Sequence, residues 1–360
     1  MRIVAAAMPV RSATSLIASP FTARSIFLQH DVQGSSSDLY GPDRNADRIP
    51  GLLGYVPGAM TSHREPDPTL VTGASGYVGG FLISELLSRG RTVRALARDP
   101  SKADQPAAVD VRGGDALTAR GLREALDGCR TAYYLIHSMG RGSGPGAEFA
   151  RRDREAAVNF GEAARDAGVQ RVVYLGGLGP TGEDASEHLR SRHEVAELLR
   201  ERVPEFVYVR AAMIIGQGSA SFEMLRHLVT RLPVMITPRW VDTRSQPVAV
   251  ADVVRALADV AELEEAPDEL QLGGADVLTY REMMRRTARV LDRRPPAIVK
   301  VPVLSPRLSS YWVSLVTPVE AGLVRPLVDG LKSEMVVERR PPAPINEHPL
   351  GFEDAVRAAL

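Results

Sequence analysis

Between Thr69 and Val209 short apolar runs alternate with stretches whose apolar residues recur every three or four positions. A brief run of aliphatic and β-branched residues predicts a buried strand, and the longer spacing predicts a helix with one face inward. Runs of the first kind fall at Thr69 to Thr72, Thr92 to Ala97, Val109 to Arg112, Ala132 to Ile136, Arg171 to Leu175 and Phe206 to Val209. Helical spacing appears at Tyr77 to Ser88, Ala119 to Leu126, Phe149 to Ala167, His188 to Glu201 and Phe222 to Leu232. Such alternation predicts an α/β architecture, a doubly wound parallel sheet covered on both faces.

Beyond residue 235 the pattern loosens to a helix at Ala251 to Ala261, a short strand near Leu270, a helix at Tyr280 to Leu291 and a Pro-broken apolar tail. The chain therefore divides into residues 1–66, an extension expected to be disordered, 67–235, the wound core, and 236–360, a smaller substrate-binding or lid region. The first 30 residues hold Arg2, Arg11, Arg24 and several serines but no acid before Asp31, the composition of a transit peptide; the alternative is an over-extended start ahead of Met60. In the tail, Leu308 to Val316 is shorter than the roughly 20 apolar residues of a bilayer span. It reads as a packed helix or a lid, with membrane contact at the interface as the alternative.

The stretch Thr69 Leu70 Val71 Thr72 Gly73 Ala74 Ser75 Gly76 Tyr77 Val78 Gly79 Gly80 organises the rest. An apolar run ends at a glycine, two more glycines follow at three-residue spacing, and the spacing then turns helical. Gly73 serves the sharp turn, Gly76 the close approach of backbone to a diphosphate, and Gly79 the packing of helix on strand. The amides around Ser75, Tyr77 and Val78, with the positive end of the helix dipole, then face the phosphates. A dinucleotide is the expected ligand. The second strand closes as Arg94 Ala95 Leu96 Ala97 Arg98 Asp99, which puts Arg98 at the ribose and favours NADP(H) over NAD(H). Asp115, after the third strand, is placed near the adenine or else caps the next helix.

Forty-four basic and forty-four acidic residues cancel, so nucleic acid is not an expected partner. The single cysteine, Cys129, fits a reducing compartment and a cytoplasmic protein. No metal cluster is evident, and oligomeric state is not legible in the sequence.

Thr72 to Gly80, Arg98 Asp99 Pro100, Gly114 Asp115, Val158 Asn159 and Ala167 to Tyr174 resemble the short-chain dehydrogenase/reductase superfamily, in particular its atypical, NmrA-like, NAD(P)H-binding branch. The resemblance covers about residues 69–290. It implies a Rossmann sheet with a small-molecule substrate over the carboxyl ends of the strands. Gly273 Gly274, Thr279 to Met283 and Pro306 to Ser310 resemble the later part of bacterial oxidoreductase-like members.

Active members of that superfamily use a Ser or Thr after the fifth strand and a Tyr-x-x-x-Lys on the next helix. Here Leu175 Gly176 Gly177 Leu178 Gly179 stands where the hydroxyl belongs, and His188 and Arg192 take the places of Tyr and Lys. His188 is the candidate acid and Arg192 the orienter of nicotinamide ribose or substrate; the alternative is a solvated helix face with Glu187, Arg190 and His193. His137, at the end of the fourth strand, is expected beside the nicotinamide half. Tyr134 and Tyr174 read as core, and Trp240 as an apolar wall with Arg239 or Arg244 as an anion contact. Two functions remain open: an oxidoreductase moving hydride between NADP(H) and a small apolar carbonyl or quinone-like substrate, and a non-catalytic NADP(H)-sensing or scaffolding protein.

Overall fold

Strands of the main sheet send alternate side chains into two different apolar layers, as burial on both faces requires. The computed structural model describes residues 67–137, 146–182, 185–237, 239–300 and 330–360. The expected N-terminal extension, residues 138–145 and most of the apolar tail lie outside the described residues.

The chain opens with β1 (Thr69–Val71), α1 (Tyr77–Ser88), β2 (Val93–Ala97), β3 (Asp110–Gly113), α2 (Leu122–Leu126) and β4 (Thr131–Tyr134). It continues through α3 (Gly146–Asp166), β5 (Arg171–Gly177), α4 (Glu187–Arg200), β6 (Glu205–Ala211), β7 (Ile214–Ile215) and α5 (Ala220–Arg231). Next come β8 (Val234–Thr237), β9 (Arg244–Ser245), β10 (Val248–Ala249), α6 (Val250–Glu262) and β11 (Glu269–Leu272). β12 (Leu278–Thr279), α7 (Tyr280–Val290), β13 (Ala297–Lys300) and α8 (Phe352–Ala358) complete the described elements.

Seven strands form one parallel sheet in the order β11, β6, β5, β4, β1, β2, β3. Winding reverses between β1 and β4, where an open sheet leaves a crevice for a ligand. Leu70, Tyr134, Val172, Tyr174 and Phe206 belong to the layer shared with α3 and α4. Val71, Tyr133, Val173, Val207 and Val209 belong to the opposite layer, under α1 and α6. Phe160 of α3 is fully buried, its ring 4.9 Å from that of Tyr134. Its truncation to alanine costs roughly 3–5 kcal/mol in such a site.

Helix α1 has the expected bounds. Helix α2 starts three residues later than expected, because Ala119 and Gly121 adopt left-handed backbone, with φ of 59° and 69°. A third apolar cluster gathers α5, α7 and α8 around Met235, Trp240 and Val241. Three two-stranded pairings, β7 with β10, β8 with β13 and β9 with β12, stand apart from the main sheet.

Candidate functional site

The glycines of the turn after β1 have no room for a side chain. Gly73 has φ of 63°, and a Cβ there would lie 2.6 Å from the Leu135 carbonyl oxygen. A Cβ on Gly79 would come within 2.3 Å of the Gly73 carbonyl oxygen, so α1 rests on the turn only as glycine. Gly76 begins α1 with no side-chain cap, and the first turn carries no acid. The helix dipole and its leading amides are thus left for an anion from outside the chain. Ser75 and Gly76 are exposed at the rim, and Val78 is half-buried. The Tyr77 hydroxyl is buried without a partner, its pKa pushed up by burial and then by Glu223. A diphosphate fits this corner.

Arg98 is exposed just past β2. The neighbouring Asp99 is already occupied: Ser101 donates its amide across 3.2 Å and its hydroxyl across 2.6 Å, and Lys102 pairs at 3.0 Å. Ser101, then Lys102, holds that carboxyl below its ordinary range. Arg94 turns to Asp110 at 2.9 Å and to the Ala125 and Asp127 carbonyls at 2.9 and 2.7 Å, so it braces α2. Asp115 accepts the Leu117 amide at 2.9 Å, which ties its own turn and not the start of α2.

A cavity of about 540 Å³ joins the glycine turn to the rest of the site. Gly73, Gly76 and Tyr77 form part of its wall, and His137, Gly176, His188 and Arg192 form another. Met224, Leu228, Trp240, Tyr280, Met284 and Met335 line an apolar chamber of the same space. Trp240 thus stands where an apolar wall was expected, whereas Arg244 is taken by Glu334 at 2.8 and 2.9 Å.

Helix α4 aims two side chains at the cavity. The Ser186 hydroxyl accepts the Leu189 amide at 3.3 Å and caps the helix, so His188 falls in the first turn and Arg192 one turn on. The solvated-face alternative fails at Arg192, which is only 7% exposed, while Glu187 and Arg190 face solvent. Arg192 donates to the Tyr174 hydroxyl at 3.4 Å. Burial opposes its charge, but Tyr174 and the Asp153 carboxylate hold its pKa above the ordinary value. His188 is half-buried, with Nδ1 lacking a partner, and its pKa is lowered to about 3 by burial, then by Arg192 and His137. His137 is exposed at the cavity wall. At neutral pH the His188 ring is uncharged and Arg192 carries the positive charge.

Gly176 and Gly177, in place of a hydroxyl residue, have a packing reason. A Cβ at Gly176 would sit 2.6 Å from the Tyr208 ring, and one at Gly177 3.0 Å from Leu189. Tyr208 stacks on Tyr174 at 5.3 Å and shares a 3.2 Å hydrogen bond with His193 Nδ1. Tyr134 and Tyr174 are core residues, 1% and 0% exposed.

Sequence reasoning missed Asp153 and Gln105. Asp153 is 4% exposed and extends backwards the inward stripe of Ala156, Ala157 and Phe160, a register visible in the sequence. Gln105 donates to the Ala74 carbonyl at 3.3 Å and pins the loop after Asp99 beside the glycine turn. No periodic pattern announces it. Among the described residues no group of three or more His, Cys, Asp or Glu could hold a metal ion.

Residues 73–227 match a family model described as NAD(P)H-binding. Residues 73–227 are therefore similar to an NAD(P)H-binding domain. Ceramide reductase of Caulobacter vibrioides is 29% identical to this chain over 265 residues, 70% of this chain and 81% of that one. Cinnamoyl-CoA reductase 1 of Oryza sativa subsp. japonica is 31% identical over 118 residues, 30% of this chain and 34% of that one. The chain spans about a third of the length of several such curated relatives. Among solved structures, Citrobacter sp. triphenylmethane reductase complexed with NADP(H) shares the fold, with a TM-score of 0.64 at 20% identity, over 81% of this chain and 100% of that one.

Proposed function

We propose that the protein is an oxidoreductase that moves hydride between NADP(H) and a small apolar carbonyl or quinone-like substrate. The observation that carries this reading is the single cavity whose wall joins the glycine turn, Arg192 and an apolar chamber. Reductases among the relatives support the reaction class.

In this reading Gly73, Gly76, Gly79 and the amides near Ser75, Tyr77 and Val78 hold the diphosphate. Arg98 pairs with the 2′-phosphate, and the engagement of Asp99 by Ser101 and Lys102 removes the carboxylate that would compete for a free ribose hydroxyl. Asp115 lies toward the adenine, and His137 and Arg192 toward the nicotinamide half. When bound, the cofactor supplies the hydride.

As the carbonyl carbon receives hydride, the π electron pair moves to oxygen, where the fixed charge of Arg192 stabilises it. His188 contributes an N–H hydrogen bond. With a pKa near 3 it is not an imidazolium acid at neutral pH, so the proton that completes the hydroxyl comes from water. The apolar chamber orients the substrate's tail. Cys129, buried, with its thiol pushed up to about 11 by desolvation, suits a reducing compartment such as the cytoplasm.

A non-catalytic, NADP(H)-sensing or scaffolding role is the second reading. One observation favours it: the depressed pKa of His188 leaves no ready proton donor among the described residues discussed for the site. The two separate by following NADPH oxidation against apolar ketones, aldehydes and quinones. Turnover on a member of the panel, cut roughly 100-fold by Arg192→Met, supports the enzyme. Tight NADPH binding with no turnover across the panel supports the sensor.

A further inference from the structure

Among the described residues, the outer face of the β8 and β13 pair is apolar and exposed. The two strands run parallel with Val234 opposite Ala297 and Ile236 opposite Val299. Val234, Ile236 and Val299 stay 51%, 57% and 50% exposed. Their neighbours Met235 and Ile298 turn inward to the cluster that holds Met224, Leu228 and Trp240. Both faces of the pair are therefore apolar, although a small sheet with one solvated face ordinarily alternates apolar with polar.

Exposed arginines stand beside that face in the chain. Arg285 and Arg289 lie one turn apart on the solvent side of α7, and Arg293 and Arg294 occupy the link from α7 to β13. Among the described residues their guanidinium groups make no ion pair or hydrogen bond. Two acids are close in sequence: Glu282 is held by Thr279 in the cap of α7, and Asp292 adjoins Arg293. Since the whole chain is neutral, this is a local concentration of charge.

Exposed apolar side chains with arginines next to them in the chain match the boundary of an anionic bilayer, where the former enter the acyl margin and the latter meet phosphates. A nucleic acid would answer the charge and leave Ile236 and Val299 in water. From Lys300 the chain runs into residues 301–329, which hold Tyr311 and Trp312, residue types favoured at membrane interfaces. We infer that the β8 and β13 face, with Arg289, Arg293 and Arg294, docks the protein on an anionic lipid surface. This stands apart from the redox reading, and its test reads lipid binding alone.

Flotation of the full chain with vesicles tests it. The protein floats with equimolar phosphatidylglycerol and phosphatidylcholine, far less with phosphatidylcholine alone, and high salt releases it. Replacing Arg293 and Arg294 together by glutamine lowers the partition coefficient roughly 25-fold, about fivefold per arginine. Ile236→Ser with Val299→Ser lowers it on the same vesicles, and circular dichroism verifies that both double variants are folded. Wild type that stays in the aqueous phase with anionic vesicles overturns the inference. So does a wild-type dimer that the Ile236→Ser, Val299→Ser variant dissociates, because the face then belongs to a second copy.

Discussion

Arg192 donates to the Tyr174 hydroxyl across 3.4 Å, with both side chains sealed inside the protein and the guanidinium in the cavity wall. A tyrosine in the core of a strand thus fixes the direction of a buried cation. Tyr174→Phe removes that acceptor, leaves the ring packing intact and costs about 1 kcal/mol of stability. KM for the carbonyl substrate rises while NADPH affinity holds, which a thermal melt and steady-state kinetics together would show.

Acid sensitivity follows from His188. Its folded pKa is about 3 against an ordinary 6.5, so between those values the unfolded chain holds a proton that the native state refuses. Stability is therefore complete above the ordinary value and falls as pH drops toward 3, by at most about 1.4 kcal/mol per pH unit for this one group. His193 is shifted in the same direction. Denaturant midpoints measured across the window should show a shallower slope for His188→Leu than for wild type.

Gly79 has no room for a methyl group. An added Cβ would meet the Gly73 carbonyl oxygen at 2.3 Å, and that oxygen is backbone, so helix or turn must move. Gly79→Ala is expected to cost about 1–3 kcal/mol and to weaken NADPH and NADH alike. Fluorescence titration of both nucleotides checks it.

Arg98 supplies selectivity and not general affinity. Arg98→Asp should weaken NADPH by roughly 10- to 100-fold, the worth of a charge-assisted hydrogen bond, and change NADH little. Equal losses for the two nucleotides would remove the phosphate role.

Much of the wound core was legible in the sequence because its strands and helices are long enough to show their periods. Helix α1 begins at Tyr77 and ends at Ser88 as expected, since the glycine turn before it and the stripe of Leu82, Ile83 and Leu86 leave no other phase. β7, β9, β10 and β12, of two residues each, carry no period and owe their existence to tertiary pairing. The site was half legible. His188 and Arg192 stand out by spacing, but burial of Arg192 and the neutrality it helps impose on His188 depend on Tyr174, Asp153 and Tyr208, which come from other elements. Asp153, flanked by arginines in sequence, reads as one more solvated charge until the apolar stripe of α3 is extended back by a turn.

The most direct measurement follows a label. NADPH carrying deuterium at its transferable position is incubated with the protein and an apolar ketone or aldehyde that it turns over, where the label stays on carbon, and the product is read by mass spectrometry. Deuterium on the reduced product, with much less formed by Arg192→Met, is the expected result. An unlabelled product, or no product from any apolar acceptor while NADPH binds tightly, would contradict hydride transfer in this cavity.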